Sequence, residues 1–97
     1  MSGWTFLTNH AHTLLCISED PDVRFRDISQ RVGITERAVQ RIVSELEDAG
    51  YVSHERVGRR NHYELNPQLP LRHPLEDHLE IAALLRVLTP PNGLAGD

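Results

Sequence analysis

Arg37, Gln40 and Arg41 fall at i, i+3 and i+4 of one stretch, and further along Arg59 and Arg60 stand side by side after Gly58. The first spacing puts three long polar side chains on one face of a helix. A guanidinium pairs with O6 and N7 of guanine or with phosphate, and a glutamine amide pairs with N6 and N7 of adenine. Recognition of duplex DNA is the chemistry this set would perform. Thr35 and Ser44, on either side of the trio, suit helix capping and phosphate contact rather than base reading. Glu36 has two readings, an acceptor for cytosine N4 or a partner of the helix dipole. Arg59 and Arg60 would meet phosphate or enter a minor groove. Arg56 is either their helper or a strand-edge charge.

Other chemistries find less support. The chain has six histidines and one cysteine. His10 and His12 are two apart on a helix and point away from each other. His73 and His78 straddle a helix start. Cys16 lies in the apolar run Leu14–Ile17, where a free thiol packs as a small hydrophobe. A single cysteine rules out an internal disulfide framework and a multi-cysteine zinc cage. We expect no metal and no cofactor. No nucleophile–base pair or glycine-rich phosphate loop appears, so an enzyme is not expected. There is no basic, apolar leader and no apolar run near the ~20 residues of a membrane span. A cytoplasmic protein with no membrane partner is the expectation.

The formal net charge is −4 over 97 residues, which at first counts against a nucleic-acid partner. Its distribution reverses that impression. Between Arg24 and His62 eight arginines face six acids, a balance of +2, whereas the remainder holds two arginines against eight acids, a balance of −6. All ten basic residues are arginine.

These side chains need elements to hold them. Trp4, Leu7, Ala11, Leu14, Leu15 and Ser18 recur at helical spacing, predicting a first helix over 8–19, capped by Thr8 or Asn9 and ended by Pro21. Val23-Arg24-Phe25 reads as a short β-prone piece. A second helix over 27–32 closes at Gly33, a residue free to adopt the left-handed conformation. Thr35 caps a third helix over 36–49, in which Val39, Ile42, Val43, Leu46 and Ala49 form the apolar stripe and Gly50 the stop. Helix, glycine, apolar residue, cap and helix in so short a span is a helix-turn-helix arrangement. Two β-prone runs, 51–56 and 61–65, flank Val57-Gly58-Arg59-Arg60 and predict a hairpin with an arginine-rich tip. Pro67, Pro70 and Pro74 then interrupt the chain. With Pro74 at its first position, a last helix over 74–88 is apolar on most sides.

The stretch from Phe25 to Leu65 resembles the winged helix-turn-helix regulators of the ArsR and MarR type. The resemblance is carried by Ile28, Gly33, Ile34, Thr35, Val39, Leu46 and Ala49-Gly50-Tyr51-Val52, then by Gly58-Arg59-Arg60 and Tyr63-Glu64-Leu65. With its WTFLTNHAH opening and its PLRHPLEDH segment, the whole chain looks like a compact actinobacterial group of such regulators. The resemblance implies a mainly α fold with a small β-hairpin (α+β), with a three-helix core, a wing and a C-terminal dimerisation helix. It also implies a recognition helix in the major groove and a wing on backbone or minor groove. Metal sensors of the ArsR group carry paired cysteines near the recognition helix, or paired Asp/His and His/Glu ligands on the last helix. Neither pattern is present, since Cys16 stands alone and Asp77-His78 has no second ligand set. Regulators of this kind also often hold a small-molecule effector, and no residue pattern here names one.

The expected organisation is a DNA-binding domain over 1–70, a C-terminal dimerisation helix over 71–89 and a flexible tail over 90–97. Leu75, Leu79, Ala82, Leu85 and Leu88 are the expected homodimer interface, because a chain this small cannot cover them alone. A winged-helix protein-interaction module without direct DNA binding is the rival reading, and the acidic total favours it.

Overall fold

The computed structural model describes residues 3–90 and divides after Leu65 into two compact units. The first contains three helices and a hairpin: α1 (Asn9–Glu19), α2 (Phe25–Val32), α3 (Glu36–Asp48), β1 (Val52–Val57) and β2 (Arg60–Leu65). The second contains α4 (Ile81–Leu88). The fold is a winged helix-turn-helix of the α+β class. Among the described residues no helix is long and apolar enough to cross a membrane.

Local chemistry sets the helix ends. Thr8 Oγ1 accepts from the Ala11 N–H at 3.3 Å and opens α1. Gly33 closes α2 at φ 86°, and both its N–H and that of Ile34 donate to Ser29 O. The Ser29 hydroxyl returns to Ile34 O. Thr35 Oγ1 then accepts from the Ala38 N–H at 3.0 Å and opens α3. Three residues thus reverse the chain with their polar groups engaged, which the α2–α3 corner requires.

The core lies between α1, α2 and α3. Leu14 and Ile17 of α1, Ile28 of α2, and Val39, Ile42, Val43 and Leu46 of α3 are buried, joined by Tyr51, Val52 and Tyr63 from the hairpin. The strands pair antiparallel from Val52 opposite Leu65 to Val57 opposite Arg60. Only Gly58 and Arg59 remain between them. Gly58 has φ 63° and Arg59 does not have a positive φ, the pattern of a two-residue turn with glycine first.

Two expectations change. Val23-Arg24-Phe25 is not a strand; Phe25 is the first residue of α2 and Arg24 its N-cap. The preceding donors are spent in a turn, with Asp22 N–H on Asp20 Oδ1 and Val23 N–H on Asp20 O, and Pro21 has none to offer. Among the described residues one backbone bond, Tyr63 N–H to Pro21 O at 2.9 Å, joins this segment to the hairpin.

The last helix is also shorter than 74–88. Within the second unit, Pro70 and Glu80 form an antiparallel bridge, and Leu71 N–H donates to Leu79 O at 2.9 Å. Pro74 lies in a run of turns, where Leu75 N–H bonds His73 Nδ1 and Glu76 N–H bonds His73 O. Ile81 and Ala82 donate to Leu69 O and Pro67 O, so the orphan donors of a helix start find carbonyls there. Leu75 and Leu79 consequently lie outside the helix, 81% and 45% exposed. Ala82, Leu85 and Leu88 remain on α4, with Leu85 buried. Asn66 to Pro70 lie in the second unit. Of the expected tail, 91–97 lies outside the described residues.

Candidate nucleic-acid interface

The buried stripe of α3 leaves the opposite side of the helix in solvent. Glu36, Arg37, Gln40, Arg41 and Ser44 are all exposed there. Thr35 is exposed as well, but its hydroxyl is engaged by the cap. Glu36 occupies the first turn of α3, where the dipole favours an acid. Arg37 has no ion pair among the described residues, while Arg41 Nη1 lies 3.3 Å from Glu45 Oε2.

Glu45 does more than hold Arg41. Its Oε1 meets His10 Nε2 of α1 at 2.7 Å, and the bond from His10, ahead of the charge of Arg41, holds its carboxyl below the usual range. At the hairpin border of the same helix, Glu47 pairs with His54 of β1. A histidine–carboxylate pair therefore stands at each edge of the exposed α3 face. The sequence reading treated the histidines only as metal ligands and missed this role. The signal was present, because an acid lies on each flank of the polar stripe and histidines occur in both neighbouring elements.

The hairpin separates arginines that the sequence placed together. Cross-strand pairs share a face, so Arg56 lies with His54, Tyr63 and Asn61, and Arg60 lies opposite with Val57. Arg59 occupies the turn, and all three arginines are exposed. Arg59 and Arg60 line an open groove of about 290 Å³ together with Arg24, Phe25, Asp22 and Asn61. Arg24 was counted in the basic middle of the sequence but not among the contact residues. Its place in a β-prone piece hid its position at the start of α2.

The remaining chemistry-bearing residues are otherwise engaged. Asp22 Oδ1 receives a bond from His62 Nδ1 at 2.8 Å, which pushes the imidazole pKa up. Cys16 is buried, and burial pushes its thiol up against the opposing influence of Arg31, which is ion-paired to Glu19 at 2.9 Å. A thiol held protonated is a poor nucleophile and a poor metal ligand. Among the described residues no three His, Cys, Asp or Glu side chains group as a metal site.

Comparison with known proteins agrees with this geometry. Residues 10–53 match the family model of winged helix-turn-helix DNA-binding domains. The match runs from α1 through the helix-turn-helix into β1 and stops before the wing tip. No curated protein matches the chain.

Proposed function

We propose that the protein is a sequence-specific, double-stranded-DNA-binding transcriptional regulator of the ArsR/MarR type that acts as a cytoplasmic homodimer and not as an enzyme. One observation carries this reading: α3, within the segment matching the DNA-binding family, turns Arg37, Gln40, Arg41 and Ser44 to solvent on the side opposite its buried stripe. In the proposed complex α3 enters the major groove. Arg37, Gln40 and Arg41 read base edges, Thr35 and Ser44 touch phosphate, and Glu36 accepts from a cytosine N4 group or complements the helix dipole. Arg56, Arg59 and Arg60 contribute wing contacts to backbone or minor groove. One such helix reads only a few base pairs, and two-fold symmetry doubles them at half-sites one helical turn apart.

For the dimer, the support is the apolar surface of the second unit. Leu75 and Leu79 are exposed, and Ala82, Leu85 and Leu88 recur along one side of α4. A second copy covering Leu75 and Leu79 would bury area at about 25 cal/mol per Å². Sedimentation equilibrium should return twice the 11.0 kDa chain mass. DNA binding is tested by gel shift on genomic fragments over a range of salt. Bound fragments that share a pseudo-palindrome are the expected result. A protein that stays monomeric and binds no fragment at low salt would favour the protein-interaction reading instead. A small-molecule effector is compatible with this architecture, and none is assigned.

A further inference from the structure

We infer that the groove between the start of α2 and the wing tip seats a phosphate of the DNA backbone, with Arg24 as a third arginine beside Arg59 and Arg60. The inference rests on the DNA-binding reading, and it commits the wing tip to backbone rather than to the minor groove. Arg24, Arg59 and Arg60 line one concavity of about 290 Å³, and none of the three has an ion pair among the described residues. Guanidinium groups only donate, so the occupant that fits is an anion with several acceptor oxygens. Arg24 is also the N-cap of an eight-residue helix whose start has no side-chain cap, which adds the positive end of the α2 dipole to the same groove. Asn61 contributes an amide to the lining. The groove is open and its arginines are exposed, which suits a seat on a long polymer.

Asp22 is the one acid in this lining, and its charge opposes an incoming phosphate. Its carboxylate is turned to His62. Asp22 therefore sets how strongly the arginines attract, and removing its charge strengthens the seat.

Phosphate contacts are independent of sequence, so a labelled duplex of random sequence serves as the probe. Fluorescence anisotropy titrations of the full chain between about 50 and 200 mM salt would compare wild type with Arg24→Ala, Arg24→Lys and Asp22→Asn. Circular dichroism checks that each variant is folded. Arg24→Ala should weaken binding severalfold and reduce the slope of log K against log salt by about 0.9. Arg24→Lys keeps the charge and should keep the slope, and Asp22→Asn should bind more tightly than wild type. If wild type binds and Arg24→Ala retains its slope, the groove assignment is overturned while the DNA reading stands. If wild type binds no duplex at low salt, both fall. If millimolar inorganic phosphate raises the thermal midpoint of wild type but not of Arg24→Ala, and the DNA slope is unchanged, the groove is a site for free anions and the backbone assignment is overturned.

Discussion

Replacing Gly33 with alanine isolates the backbone requirement of the corner that orients α3. Gly33 has φ 86°, and a Cβ built there meets nothing within 4 Å. Steric collision is therefore excluded, and the whole cost comes from holding an L-residue in the left-handed region, roughly 1–2 kcal/mol. The bonds from Gly33 N–H and Ile34 N–H to Ser29 O remain available to alanine. In a domain this size each kcal/mol lowers Tm by about 4–8 °C, so Gly33→Ala should melt about 4–16 °C below wild type with an unchanged urea m-value. Gly33→Asn should recover part of the loss, because asparagine tolerates this conformation better. Thermal and urea unfolding followed by circular dichroism provide the measurement. Equal midpoints for wild type and Gly33→Ala, or Asn worse than Ala, would refute the reasoning, since the first denies the strain and the second denies its backbone origin.

Three further outcomes follow from the same structure. Thr13 is fully buried and its hydroxyl has no hydrogen-bond partner among the described residues, so Thr13→Val should stabilise by about 1 kcal/mol and raise Tm by about 4–8 °C; a lower Tm would show that the hydroxyl is satisfied. The bond to Asp22 raises the pKa of His62, with Glu55 and Glu64 adding smaller contributions, so its stabilising effect is complete below the unfolded value near 6.5 and is lost as pH rises through the higher folded value. Urea midpoints measured from pH 5.5 to 8.5 should therefore fall across that window in wild type and fall less in Asp22→Asn. On the preferred operator Gln40→Ala or Arg41→Ala should each cost about 1–3 kcal/mol of binding and relax specificity, as read by competition with point-substituted duplexes; wild-type affinity in both would remove α3 from base reading.

The helix-turn-helix was legible because its determinants are local. Gly33, Thr35 and the spacing from Val39 to Leu46 act within one or two turns, and periodicity records them directly. Gly58 marked the hairpin for the same reason. The last helix was misjudged because Pro74, Glu76 and Asp77 are good helix-start residues, yet this stretch folds into turns in which Leu75 N–H and Glu76 N–H bond to His73 and Leu79 N–H bonds to Glu76 O. The Pro70–Glu80 bridge and the carbonyls of Pro67 and Leu69 outweigh that propensity. Arg24 was misplaced because the β preference of Val23 and Phe25 carries no knowledge of the turn that consumes their neighbours' donors.

The exposed face of α3 could be written down from residue order, since a helix with one buried stripe must turn the opposite residues to water. Its surroundings could not. Only folding brings His10 onto Glu45 and His62 onto Asp22, across separations of 35 and 40 residues. Only strand register puts Arg56 and Arg60 on opposite faces of the hairpin. Only the approach of the wing tip to the start of α2 gathers Arg24, Arg59 and Arg60 around one groove. Periodicity and capping depend on neighbours along the chain and are written in the sequence. Charge pairing and groove shape depend on distances through space, which the tertiary packing decides.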